Sequence, residues 1–86
     1  MIFSFKIDRP RDMKSAYAQL KNTVESEGGR ITGNEVQGSI ALLGVEGEYE
    51  VDADYIIVSV TKKPSPLLPN RLIENEIRKH FQQLNP

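Results

Sequence analysis

From Gly44 to Thr61 the chain reads GVEGEYEVDADYIIVSVT, with polar and apolar positions alternating on either side of one break at Asp52-Ala53-Asp54. A period of two belongs to a strand with one wet and one dry face, so two half-buried antiparallel strands joined by a tight turn are predicted. A turn at Ala53-Asp54 sets Val51 opposite Ile56, Tyr49 opposite Val58 and Gly47 opposite Val60 on one face. The other face then carries Glu46, Glu48, Glu50 and Asp52 against Thr61, Ser59, Ile57 and Tyr55, in that order. A slip of one residue would bury the carboxylates, which fixes the register.

The same reading extends outward from this hairpin. Phe3, Phe5 and Ile7 alternate with Ser4 and Lys6, predicting a first strand with its aromatic side inward. Asp8-Arg9-Pro10 ends it, with Asp8 placed to cap a helix that carries Pro10 near its first turn. From about Arg11 to Glu27 the apolar residues are Met13, Ala16, Tyr17, Leu20 and Val24, spaced by three and four as on one helix face. Gly28-Gly29 supplies the left-handed stop.

Arg30 to Gly33 reads as a short strand or strand start, and Gly33-Asn34 as a turn. Val36, Gly38, Ile40 and Leu42 alternate with Gln37, Ser39 and Ala41, giving a strand from about Glu35 to Leu43. Gly38 within it suggests a bulge or the close passage of a helix, and Gly44 and Gly47 bracket the turn into the hairpin. KKPSPLLPN follows Thr61; its prolines at 64, 66 and 69 exclude helix and central strand and predict an extended crossover. Asn70 is placed to cap a last helix in which Ile73, Ile77, Phe81 and Leu84 recur at near-helical intervals, with Glu74 and Arg78 as an i,i+4 pair outside.

The element order is β-α-β-β-β-β-α, or one strand fewer if Arg30 to Gly33 stays unpaired. An antiparallel sheet with one apolar face needs a cover, and two amphipathic helices supply it. The expectation is a two-layer α+β sandwich of TBP-like or helix-grip order, residues 1–86 forming a single α+β domain.

Composition narrows the function classes. At 86 residues there is room for one modest core. A formal charge of -1 gives no electrostatic case for nucleic acid. With no cysteine there is no disulfide, thiolate ligand or thiol nucleophile. No apolar run approaches the roughly 20 residues a bilayer demands, and MIFSFKIDRP lacks the basic start and apolar core of a signal peptide. A cytoplasmic location is expected.

Few constellations carry chemistry. Glu46, Glu48, Glu50, Asp52 and Asp54 form the densest cluster; carboxylates two apart on a strand can bind a hard cation or share a proton. The competing reading is a solvated face whose charge keeps the sheet soluble and discourages edge-to-edge association, and no EF-hand spacing is present. His80, the only histidine, lies near the margin of the last helix's apolar stripe without a neighbouring nucleophile or second ligand. Gly28-Gly29 follows a helix rather than opening one, so it is no phosphate loop. Tyr17, Tyr49 and Tyr55 do not interleave with a basic stripe. Leu67-Leu68 between Pro66 and Pro69 has two readings: one leucine plugs the end of the sandwich and the other is incidental, or the pair forms a small apolar knuckle for a partner or a hydrophobic surface, which Ile57 and Ile2 would extend.

The second half of the chain, GVEGEYEVDADYIIVSV and then LIENEIRKHF, resembles the small polyhydroxyalkanoic acid system proteins. The matching positions are Gly44, Val45 and Gly47, then Val51, Ala53 and Asp54, then Ile73, Glu74 and Ile77. The resemblance covers about half the chain; KKPSPLLPN and the strand before Gly44 depart from it. It implies a small protein tied to polyester-granule metabolism and no established catalytic residues; separately, no cofactor or metal is expected. The expected function is non-enzymatic binding of a protein partner or a hydrophobic granule surface through Leu67, Leu68 and Ile57, by a monomer or weak dimer. The alternative is a helix-grip module holding a small apolar ligand between the sheet and the last helix. An apolar pocket above roughly 300 Å³ favours the alternative, although little free volume is expected in a domain of this size.

Overall fold

The computed structural model describes residues 2–82. Strands β1 (Phe3–Asp8), β2 (Arg30–Gly33), β3 (Gln37–Leu42), β4 (Val45–Val51) and β5 (Tyr55–Lys62) form one antiparallel sheet ordered β1-β5-β4-β3-β2. Helices α1 (Met13–Ser26) and α2 (Asn70–Gln82) cover one face. This is the expected α+β sandwich in the expected order, and Arg30–Gly33 does pair, with β3.

The hairpin has the predicted register: Val51 opposite Ile56, Tyr49 opposite Val58, Gly47 opposite Val60. Its turn is held by Asp52, whose carboxylate accepts from the N–H groups of Asp54 (2.9 Å) and Tyr55 (2.7 Å). One detail differs. A register shift between Glu46 and Gly47 brings Glu46 opposite Lys62 rather than Thr61, with 3.4 Å between the charged atoms.

Both faces follow from the strand period. Inward rows run Phe3–Val60–Gly47–Ile40–Ile31 and Phe5–Val58–Tyr49–Gly38–Gly33 across the strands. The outward side carries Glu48, Glu50, Ser39, Ser59 and Lys6, all exposed but the half-buried Ser59. Ile56 and Val60 are the largest side chains to be fully enclosed.

Several local expectations are corrected. The cap of α1 is Asp12, not Asp8: its carboxylate accepts from Ser15 N–H at 3.1 Å, and the helix begins at Met13. Asn70 is already the first helical residue, and its side-chain oxygen accepts from Lys63 Nζ at 2.9 Å. The 63–69 segment is a turn rather than an extended run: Leu68 N–H bonds the Ser65 carbonyl at 3.1 Å, with Pro66 preset at the second position. Gly38 admits no helix; a Cβ there would lie 2.6 Å from the Tyr49 hydroxyl and 2.1 Å from the Thr32 carbonyl oxygen. Gly47 belongs to β4 and not to the turn before it, which is Leu43-Gly44. Leu84 lies outside the described residues.

The end of α1 is as the glycine pair predicts. Gly28 takes φ +85°, and the N–H groups of Gly28 and Gly29 bond the carbonyls of Glu25 and Val24, the paired bonds of a Schellman stop.

Candidate functional site

The sandwich does not close over its centre. α1 packs on β2 and α2 on β1, the two edge strands, so the helices land on opposite margins of the sheet. They draw together around Phe81, which shares a small void with Met13, Ala16 and Leu20. Elsewhere an apolar groove of about 310 Å³ separates them.

Its floor explains itself from the strand period. Ile40, Gly47 and Val60 stand side by side on the inner face, and the middle one has no side chain. Nothing larger fits without moving the backbone: a Cβ on Gly47 would lie 2.9 Å from the Ser59 carbonyl oxygen. Leu20 and Val24 of α1 form one wall, with Ile73, Ile77 and Phe81 of α2 opposite. Leu42, Pro64 and Leu68 close one end. Polar side chains in the lining are Thr23 on α1, Tyr49 on β4, whose hydroxyl is already bonded to the Asn34 carbonyl, and Glu76 and His80 on α2, so the groove offers few hydrogen bonds and a large dry surface.

Leu43 stands at the mouth, 79% exposed, in the left-handed region with φ +54°. It and Gly44 (φ +84°) are the central pair of a two-residue hairpin turn between Leu42 and Val45, a geometry that favours Asn-Gly. A leucine there costs about 1–2 kcal/mol of backbone strain and recovers little by burial. Leu72, 47% exposed, also lines the groove. Pro64 lies against Gly44, where a Cβ would approach it to 2.8 Å, so the proline-rich turn is seated on the strained one.

The three residues expected to meet a partner do not form one surface. Leu68 is half-buried and lines the groove. Leu67, at the tip of its turn, is 90% exposed. Ile57 lies on the other side of the sheet, half-buried between Lys6 and Glu50 over a shallow polar depression. The leucine pair thus divides, Leu68 toward the groove and Leu67 toward the outside, while Ile57 is separate from both.

The acidic residues sit on the outer face. Glu46, Glu48 and Glu50 belong to β4, the middle strand, so their charge guards a face and not an edge. Among the described residues no group of three or more His, Asp or Glu is gathered as a metal site. The Asp52 carboxyl is held below the usual carboxylate range by the Asp54 N–H above all, then the Tyr55 N–H. No described helix is long and apolar enough to cross a membrane.

Periodicity assigns Leu20, Val24, Ile40, Val60 and Ile77 to the core without distinguishing groove walls. The one available signal was Gly47, a residue without a side chain at an inward strand position.

Fold and site together define a two-layer α+β sandwich with an open apolar groove between its helices. No protein-family model, curated protein or solved structure matches the chain.

Proposed function

We propose that this chain is a non-enzymatic binding module that holds one small apolar molecule in the groove between α1 and α2. The groove carries the reading: about 310 Å³, near the lower end of small-ligand sites, lined almost wholly by aliphatic and aromatic side chains. The strained, exposed Leu43 at its mouth supports it, because strain without a packing return is found where a contact lies outside the chain. An aliphatic guest would bury its surface against the half-buried Ile40, Val45 and Ile77 and give those side chains the contacts they lack.

A second reading rests on Leu67. Its 90% exposure at a proline-stiffened tip favours docking on a protein partner or a hydrophobic granule surface, in line with the resemblance to polyhydroxyalkanoic acid system proteins. Two variants separate the readings. Ile40→Trp fills the groove floor and is expected to abolish uptake of 1-decanol while leaving adsorption to artificial polyester granules intact. Leu67→Asp is expected to leave 1-decanol uptake unchanged. Decanol binding lost with Leu67→Asp but kept with Ile40→Trp would overturn the groove reading.

A further inference from the structure

The two edges of the sheet are not protected alike. β2 is four residues long, ends in Gly33 at φ +109°, and has the Gly33 carbonyl engaged by the Tyr17 hydroxyl at 3.0 Å. β1 has six residues, with neither proline nor glycine from Phe3 to Asp8. Such an edge is a template for another strand.

The ladder phase shows what that template offers. Arg9 N–H bonds the Asp54 carbonyl on the β5 side at 3.0 Å. Antiparallel bonding alternates, so the odd residues of β1 face β5, while Ser4, Lys6 and Asp8 turn their N–H and C=O groups outward. Ile2 breaks the alternation by donating to Val60 O at 2.7 Å, which ends the useful edge at Ser4.

We infer that β1 pairs antiparallel with β1 of a second copy of this chain about a two-fold axis at Ile7, joining two five-stranded sheets into one. Registers with an axis on a residue, such as Phe5, Lys6 or Ile7, keep the dry faces aligned. An axis at Lys6 sets lysine against lysine, which is destabilising. An axis at Phe5 sets Ser4 against Lys6 and Asp8 against Ile2, so no opposite charges meet. An axis at Ile7 sets Lys6 against the second copy's Asp8 twice, opposite charges on exposed side chains, with the outward N–H and C=O groups of both residues in the ladder, which ends at Ser4 against Pro10, a residue without an N–H. A two-fold interface of this kind is self-complementary by construction.

Charge exchange tests the register. Wild type is expected to sediment as a dimer of 9.7 kDa chains. Lys6→Asp and Asp8→Lys alone each place like charges opposite one another and give monomers, and the double variant regains the dimer. Amide exchange at Lys6 and Asp8 reads the ladder without substitution: protection that disappears on dilution supports the pairing. A wild-type monomer at all concentrations, single variants that still dimerise, or a double variant that stays monomeric overturns it.

Discussion

Tyr49 on β4 donates its phenolic hydrogen to the Asn34 carbonyl oxygen at 2.5 Å, reaching across Gly38 of the neighbouring strand. The glycine makes room for the ring, and the ring supplies the packing the glycine lacks. Asn34 in turn organises its own loop by accepting from the N–H groups of Val36 and Gln37. One hydroxyl therefore ties the central strand to the β2–β3 connection.

Burial pushes the Tyr49 hydroxyl up to about 12, with Tyr17 and Glu35 opposing a further negative charge nearby. An unfolded tyrosine loses its proton near 10, so between these values the folded chain holds more protons than the unfolded one. This contribution is intact below pH 10 and is lost as pH rises toward 12. Tyr49→Phe should cost about 0.5–1.5 kcal/mol at neutral pH for the lost bond. In urea unfolding at pH 8 and pH 11, the stability gap between wild type and Tyr49→Phe should narrow at the higher pH.

Asp52 behaves oppositely. Its folded carboxyl lies below the usual range because the ionised form accepts two backbone N–H groups. That stability is present above the ordinary carboxylate pKa and is lost as pH falls through the folded value. A carbon-detected titration should place Asp52 lower in the folded chain than in the urea-unfolded chain, and Asp52→Ala should flatten the acid side of the stability profile.

Leu43→Asn should stabilise the protein. Asparagine tolerates the left-handed region and suits a Leu43-Gly44 turn, while little buried surface is lost from a side chain 79% exposed. A gain of about 1 kcal/mol corresponds to a rise of roughly 4–8 °C in Tm for a domain of this size. The same change removes an apolar group from the groove mouth, so 1-decanol should bind more weakly to the more stable protein.

What the sequence disclosed was set by how local the determining physics is. The register of Val51 with Ile56 was legible because alternation on both sides of Asp52-Ala53-Asp54 leaves one arrangement with dry side chains together. Asp12 and Asp8 flank the same Pro10, and proline's preference for the first helical turn favoured the wrong aspartate. A ligand space between the sheet and the last helix is legible as an alternative, but the groove's walls and its volume are not, since they depend on α1 landing on β2 and α2 on β1, and residue period does not say where along a sheet a helix settles. Gly47 carried a partial trace, hidden because a glycine beside Gly44 reads naturally as a turn residue.

The most direct measurement is methyl NMR of the full chain titrated with 1-decanol. Saturable shifts at Ile40, Val45 and Ile77, with none at Ile57 on the other side of the sheet, are the result expected of a guest between the helices. Shifts confined to Leu67, or spread evenly over both faces, would contradict it.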